Sequence, residues 1–169
     1  MFALFLRELF EFRMVQTDPN FANYRYSLEK RKIVLLDFGA VQEYSIATVS
    51  QFKKLMKAAL LQNRPRMLSA AQALGYFDET INPRHQAMLM SMFDIAFEAQ
   101  SFDGPYDFAS SGLAARLNPM GFDLMQDRGF WHVPPTPVLL LQRKVAGLYL
   151  LAVKLNARVN INALVRAVI

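Results

Sequence analysis

The chain has 169 residues, of which 53% are hydrophobic and 20% are charged, and its formal net charge is +5. A chain of this length can bury about 70% of its unfolded surface in one core. This composition excludes an intrinsically disordered protein and predicts a single compact domain over residues 1–169. Because the chain contains no cysteine, disulfide scaffolds, thiolate metal sites and cysteine nucleophiles are excluded as well.

The basic excess lies entirely in the last 40 residues. Residues 1–44 carry 6 basic and 6 acidic side chains and residues 45–129 carry 8 and 8, whereas residues 130–169 carry 5 basic and no acidic ones. Such a segment can face anionic lipid, a partner protein or nucleic acid. Nucleic acid is the least favoured, because the sequence has no arginine-rich run. The alternative is that these cations are solvated or paired within the protein.

The sequence predicts neither a signal peptide nor a transmembrane segment. The longest uninterrupted apolar run near the end covers the nine residues 145–153, and a membrane-spanning helix needs about 20. The first six residues are apolar, but Arg7, Glu8 and Glu11 follow and no small-residue cleavage site is present. We therefore expect a cytoplasmic or peripheral membrane-associated location.

The first 44 residues combine a helix with one β-hairpin. Apolar spacing predicts a helix over residues 2–13. Asp18-Pro19-Asn20 is turn chemistry, so residues 16–23 are expected to form a loop. Residues 23–28 and 33–37 then predict two short strands joined by the charged turn 29–32, the only β signal in the chain. The apolar run Val34-Leu35-Leu36 predicts that the second strand is buried.

From Ser45 onward the pattern is helical. Helices are expected at residues 46–60, 65–74, 83–99, 110–118, 119–128 and 138–156, with a short one near the end. Asn82 and Pro83 form a helix start, and Gly75 is a helix stop. The helix after Asn82 is predicted to bury Met88, Met92, Ile95, Ala96 and Ala99. Residues 102–108 and 129–137 are expected to be irregular.

The residues that carry chemistry lie between positions 16 and 44. Asn23 follows Asp18 at an interval of five, and Asp37-Phe38-Gly39 closes the second predicted strand. The hairpin should return Asp37 to the side of Asn23. Phosphoryl transfer needs a carboxylate near the incoming hydroxyl and oxygen ligands for Mg²⁺, and protein-kinase-like enzymes supply them in this order. The alternative is that Asp18 and Asn23 only form turns and Gly39 only a bend.

The sequence resembles the UbiB/ADCK-type atypical kinases, a kinase-like family tied to ubiquinone (coenzyme Q) biosynthesis. The resemblance covers essentially the whole chain. It rests on the segments 6–13, 16–20, 35–40, 133–135 and 142–147. Many members have a His-Pro-Gly version of the catalytic loop, whereas Asn20-Phe21-Ala22 places this chain nearer the coenzyme-Q-type branch.

The resemblance implies a mainly α fold: a protein-kinase-like C-terminal lobe with one small β-hairpin. Residues 1–44 would hold the catalytic loop, hairpin and Asp-Phe-Gly, and residues 45–169 a helical subdomain. Asp18 would be the catalytic-loop aspartate, with Asn23 and Asp37 as Mg²⁺ ligands. Phe38 and Gly39 would complete the cofactor-binding segment. The implied cofactors are Mg²⁺ and ATP.

The family's N-terminal lobe has no counterpart that can be placed in residues 1–169. Its Ala-rich loop, Lys-x-Gly-Gln segment and ATP-contacting lysine are not found, and no Gly-rich loop occurs. We therefore expect a fragment of an atypical kinase or ATPase that is inactive alone. An apolar edge near Phe38 and the first helix should favour self-association or a partner protein. The alternative function is a non-catalytic helical module that binds anionic lipid or a partner protein through its basic C-terminal helices.

The remaining candidates have ordinary interpretations. His85 and His132 lie 47 positions apart without a carboxylate at metal-ligand spacing, so hydrogen bonding is expected rather than metal binding. Asp103 and Asp107 are predicted to be turn residues. The nine methionines are interpreted as core filling, and Trp131 is expected to pack under a loop.

Overall fold

The chain begins with a helix whose second half is wider than the first. In a computed structural model, which describes residues 1–127, 129–130 and 132–169, α1 spans Phe2–Arg7 and a π-helical segment follows over Glu8–Phe12. The segment ends at Arg13, which is left-handed with φ 56°. The side chains of Phe5, Leu6 and Leu9 in this helical stretch are buried.

Six short strands form three antiparallel pairs within the described residues. The predicted hairpin is confirmed as β2 (Tyr24–Ser27) paired with β3 (Lys32–Leu35). The expectation of a single β signal is wrong. β1 (Met14–Gln16) pairs with β4 (Val41–Glu43), and β5 (Tyr106–Asp107) pairs with β6 (Arg158–Val159). These strands have only two or three residues each and pair over long sequence distances, so no local alternation marks them.

The pairing of β1 with β4 closes a loop in the chain. Thr17 donates its backbone N–H and its hydroxyl to the Ala40 carbonyl, at 2.8 and 3.0 Å. The two ends of residues 17–40 are therefore held together beside the paired strands β1 and β4. We call residues 17–40 the site loop, because it carries Asp18, Asn23 and Asp37.

The rest of the described chain is mainly helical, as predicted. The helices are α2 (Ile46–Leu60), α3 (Arg64–Ala73), α4 (Pro83–Ala96), α5 (Glu98–Ser101), α6 (Leu113–Gln126), α7 (Thr136–Lys154) and α8 (Ile161–Arg166). Side-chain oxygens of Ser45, Asn63, Asn82 and Asn160 accept backbone N–H groups at four helix starts, which satisfies donors that lack an intrahelical partner.

Two helical expectations need correction. Residues 113–126 form one helix with Pro119 inside it, rather than two helices that meet at position 118. The buried face of α4 consists of His85, Met90 and Phe93, and Met88 and Met92 are only partly buried. The face is rotated because Phe93 packs edge-on against Tyr76, with ring centroids 4.8 Å apart.

The core is rich in aromatic side chains that join distant parts of the chain. Phe108 is fully buried, and its ring lies 5.4 Å from that of Phe2, 5.1 Å from Tyr106 and 5.3 Å from Tyr149. Such pairs contribute about 0.5–1.5 kcal/mol each beyond their buried area. They tie α1 and α7 to the segment around β5.

The hairpin, by contrast, lies on the surface. Ile33, Val34 and Leu36 are 47%, 41% and 48% exposed, so the expectation of a buried second strand is wrong. An apolar run in a sequence is typical of a strand covered on both faces, whereas the faces of this two-stranded sheet are left largely open. An apolar edge is predicted near Phe38 and the first helix, and the side chains of Phe38 and Phe12 are 58% and 50% exposed.

One helix, α7, has the length and composition of a membrane span. The sequence divided this region at Lys144 and predicted no such span. In the structure 39% of an apolar 18-residue stretch of α7 is buried, and Lys144, in the middle of the helix, is buried within the protein. Core helices of water-soluble proteins share this length and composition.

The two histidines hydrogen-bond as predicted. His85 Nε2 lies 2.9 Å from Asp127 Oδ2, and His132 Nε2 lies 2.8 Å from the Gly75 carbonyl. Both border a cavity of ≈ 210 Å³. Asp107 caps a turn by accepting the Ala109 N–H, as expected of a turn residue, whereas the expectation for Trp131 concerns a position outside the described residues.

Candidate functional site

Asp18 and Asn23 are joined directly in the structure. Asn23 is buried, and its Nδ2 donates to Asp18 Oδ2 at 2.8 Å. The interval between them is spanned by a short 3₁₀ turn over Phe21–Asn23, in which Asn20 accepts the Ala22 N–H through its side chain and the Asn23 N–H through its carbonyl. The Asp-Pro-Asn turn therefore brings the side chain at the fifth position back onto the carboxylate.

Asp37 lies next to this pair because of the hairpin register. Tyr24 is paired with Leu35, and the Leu36 N–H donates to the Asn23 carbonyl at 3.0 Å. Asp37 follows immediately, and its Oδ1 accepts the Gly39 N–H at 2.7 Å. Asn23 and Asp37 border the same small cavity. The structure thus places two oxygen-bearing side chains from separate segments at one cavity, with Asp18 bonded to one of them.

Phe38 and Gly39 differ in what they contribute. Gly39 supplies the N–H that orients Asp37, and a Cβ at its position would lie 3.1 Å from Asp37 Oδ1. Any larger residue would therefore crowd the carboxylate. Phe38 is 58% exposed, so its ring does not serve as a packed anchor within the described residues.

The donor set suits a hard divalent cation. Since Asn23 uses its amide nitrogen on Asp18, its amide oxygen is the atom that can act as a ligand beside the Asp37 carboxylate. Mg²⁺ is commonly held by one or two protein oxygens together with water and phosphate oxygens. Within residues 1–127, 129–130 and 132–169, no group of three or more His, Asp or Glu side chains lies together as a metal cage.

The basic residues of α7 contact the site loop. Arg143 Nη2 lies 3.1 Å from Asp18 Oδ1, and Lys144 donates its Nζ to Gln16 Oε1 at 3.0 Å and to Tyr24 Oη at 2.9 Å. One turn later the backbone of Gly147 meets the ring of Pro19, leaving no room for a Cβ. One face of α7 therefore packs along the loop that carries Asp18 and Asn23.

Three more cations of the last 40 residues also have partners inside the protein. Arg158 pairs with Asp107 at 2.9 Å, and Arg166 donates to Asn162 at 2.7 Å. Lys154 lies over the ring of Phe21, 4.7 Å from its centre. These contacts agree with the interpretation that the basic excess is solvated or paired within the protein, and the paired side chains of Arg143 and Arg158 are still 61% and 72% exposed.

Buried charge surrounds the inner side of the cavity. Burial raises the pKa of the Glu8 carboxyl, and the nearby Lys144 ammonium opposes part of that rise. Burial and the Lys144 charge both lower the pKa of the Met1 amino group. The Oε2 of Glu8 and the Nε2 of Gln16 make no hydrogen bond. The cavity itself has a volume of ≈ 10 Å³, enough for about one water molecule.

The sequence reasoning missed Lys144 as a site residue. A signal was present, because Lys144 falls in the helical stripe of buried α7 residues, which comprises Val138, Leu141, Lys144, Leu148, Leu151 and Ala152. A lysine in an apolar stripe indicates a buried charge with partners. The charge count of residues 130–169 did not reveal that Lys144 lies on the buried face of the helix.

The mainly helical architecture with small antiparallel sheets is consistent with a kinase-like fold, and sequence comparison points to the same family. Residues 1–71 match the ABC1 atypical kinase-like domain. The resemblance predicted from the motifs is thereby confirmed, and the chain is related to the UbiB-type atypical kinases.

The relatives are similar to nearly the whole chain. The mitochondrial atypical kinase COQ8B of Rattus norvegicus is 34% identical over 94% of this chain and 30% of its own length. The mitochondrial atypical kinase COQ8 of Schizosaccharomyces pombe is 35% identical over 92% of the chain and 25% of its own length. The mitochondrial atypical kinase COQ8 of Saccharomyces cerevisiae is 28% identical over 93% of the chain and 31% of its own length. The chain thus spans less than a third of the length of these relatives.

Proposed function

We propose that this chain forms the catalytic-loop and metal-ligand part of an ATP- and Mg²⁺-dependent atypical kinase or ATPase. Asp18, Asn23 and Asp37 position Mg-ATP in this proposal. The observation that carries it is the geometry of Asn23, which holds Asp18 through its amide nitrogen and borders one cavity with Asp37. Turn-forming roles alone would not require the two segments to converge.

Each residue has a distinct task in this proposal. Bound Mg²⁺ supplies positive charge for the nucleotide phosphates. Asn23 and Asp37 offer it oxygen atoms, and the Gly39 N–H fixes the Asp37 carboxylate. Asp18 orients the incoming hydroxyl or water and takes its proton. The hydrogen bond from Asn23 and the ion pair with Arg143 hold Asp18 in place for that task.

The biological setting follows the family. We propose that the activity supports ubiquinone biosynthesis and that the protein works at a membrane surface. The relatives' names place those proteins in mitochondria, and a mitochondrial setting for this chain is part of the same proposal.

Residues 1–169 alone are proposed to bind Mg-ATP without turning it over. The cavity beside Asn23 and Asp37 is of ion size, and Asp37 is exposed on its outer side, so a nucleotide would rest on an open surface. Phosphoryl-transfer enzymes depend on groups that enclose and neutralise the phosphates. We propose that a further part of the enzyme covers this side and contacts the exposed apolar side chains of Phe12, Leu36 and Phe38. A monomer at high concentration that binds no apolar dye would contradict this contact.

The test is a thermal shift with a matched control. Mg-ATP should raise the Tm of residues 1–169 by stabilising the folded state, and Asp37→Asn should abolish the rise. Asp123→Asn makes the same change at an exposed position of α6, and this variant should still show the rise in Tm with Mg-ATP. An unshifted wild-type Tm would overturn the proposal. Rapid phosphate release that Asp37→Ala abolishes would instead overturn the inactivity of the isolated chain.

A further inference from the structure

Lys144 is a buried cation in the middle of α7. It is 3% exposed, and its two hydrogen bonds go to neutral acceptors, Gln16 Oε1 and Tyr24 Oη. Its Nζ also lies 5.6 Å from the centre of the Tyr24 ring. Burying a charge is costly, and an apolar residue of similar size is often at least as stable in such a position. Packing alone therefore does not account for a lysine here.

The two acceptors, Gln16 and Tyr24, flank residues 17–23, the part of the site loop that carries Asp18 and Asn23. Gln16 ends β1, two residues before Asp18, and Tyr24 begins β2, directly after Asn23. One ammonium group therefore ties together both ends of the segment that carries the proposed catalytic aspartate and the first proposed metal ligand. Lys144 also borders the cavity shared by Asn23 and Asp37.

Other contacts of these residues are compatible with Lys144 linking Gln16 to Tyr24. Gln16 has an unpartnered Nε2, so its Lys144 bond is what orients its side-chain oxygen. Tyr24 and Asn23 are adjacent in sequence, so a shift of the Tyr24 side chain moves the backbone that presents the Asn23 amide. The neighbouring Arg143 and Gly147 contact Asp18 and Pro19, which places Lys144 inside a continuous contact between α7 and the loop.

We propose that Lys144 is a positioning residue for the metal site. It acts through Gln16 and Tyr24, setting the spacing between Asp18 and Asn23 without itself contacting the metal or the nucleotide. This inference rests on the proposed function. Groups that orient metal ligands typically contribute 10–100-fold to metal affinity.

The experiment measures Mn²⁺ affinity in the presence of ATP by electron paramagnetic resonance, on residues 1–169 as wild type, Lys144→Met and Lys57→Met. Lys57 is an exposed lysine of α2, so its variant controls for the loss of charge. We expect Lys144→Met to weaken Mn²⁺ binding about ten-fold and Lys57→Met to leave it within two-fold. Unchanged affinity in folded Lys144→Met would overturn the proposal.

If Lys144→Met does not fold, variants of its two hydrogen-bond acceptors test the positioning role instead. Gln16→Met and Tyr24→Phe each remove one acceptor and keep the size of the side chain. Each should weaken Mn²⁺ binding while the Tm changes little. Unchanged affinity in both would overturn the role.

A second readout separates this inference from the proposed function. If the wild-type chain binds no Mn²⁺ with ATP, the proposed function fails. Hydrogen exchange of the Asn23 and Leu36 amides, which are bonded to Asn20 and Asn23 carbonyls, then tests positioning by itself. If the Asn23 and Leu36 amides exchange faster in Lys144→Met while the Val49 amide of α2 is unchanged, the result supports the positioning role of Lys144. Equal exchange of the Asn23 and Leu36 amides in wild type and variant would overturn that role.

Discussion

The site loop and the helical body of this protein are held together by different forces. In the helical body, Phe77 and Phe108 are almost completely buried and lie in one continuous core. In the site loop, Leu28 and Phe38 are 83% and 58% exposed, and the backbone returns to the body through hydrogen bonds between Thr17 and Ala40. The difference indicates that the loop has its geometry imposed from outside, chiefly by α7.

The largest expected effect tests whether stability resides in the body. Phe108→Ala should cost about 3–5 kcal/mol of unfolding free energy, because it leaves a cavity among three other rings. Phe38→Ala removes the same ring in the site loop and should cost at most about 0.5 kcal/mol, as is usual for surface substitutions. Urea denaturation monitored by circular dichroism measures both. Similar losses for the two variants would show that the loop shares the core.

The next effect concerns the contact between the two regions. A Cβ on Gly147 would overlap the Cβ of Pro19, and the proline ring cannot rotate away. Gly147→Ala should gain about 1 kcal/mol of helix propensity but lose more through overpacking, which costs about 1–3 kcal/mol and occasionally more. We therefore expect net destabilisation.

A matched glycine gives the control for that prediction. Gly121 lies within α6, and a Cβ there would meet only Met92 Cε at an ordinary 3.8 Å. Gly121→Ala should therefore stabilise the protein by up to about 1 kcal/mol. Opposite signs for the two Gly→Ala changes, measured by denaturation, are the expected result. A stabilised Gly147→Ala variant would mean that α7 and the loop do not press on each other.

Local patterns predicted the helices and the hairpin well. The start of α2 at Ser45 and of α4 at Asn82 follow from capping chemistry, which acts within three residues. The hairpin follows from two strands and a charged turn. The pairing of β1 with β4 could not be predicted in this way, because it joins Gln16 to Val41 across 25 positions in strands of three residues.

The site was predictable only in part, for a related reason. The order of Asp18, Asn23 and Asp37 and the hairpin between them indicate convergence. The contribution of α7 was not predicted, because Arg143 and Lys144 lie 125 and 128 residues from their partners Asp18 and Gln16. A charge count describes such residues as surface, whereas the helical stripe around Lys144 indicates burial. Side-chain periodicity was therefore the better guide to this region than its net charge.

The smallest effect concerns the buried carboxyl beneath the site. Burial raises the pKa of the Glu8 carboxyl above its ordinary value of 4.5, so the folded state binds this proton more tightly than the unfolded state does. The contribution of Glu8 to stability is then fully present below pH 4.5 and is lost as the pH rises through the folded pKa. Glu8→Gln imitates the protonated form, so its stability relative to wild type should increase from acidic to neutral pH and then level off.

Urea denaturation between pH 4 and 7.5 checks the Glu8 prediction, and Glu11→Gln is its control. Glu11 is an exposed carboxylate on the same helical segment, paired with Arg7 at 2.8 Å, and exposed pairs contribute little. The unfolding free energy of Glu11→Gln relative to wild type should therefore change little with pH. A Glu8→Gln variant that is less stable than wild type at pH 7 would show that the attraction to Lys144 outweighs the cost of burial. The Glu8 charge would then join Gln16 and Tyr24 in holding the Lys144 ammonium beneath the site loop.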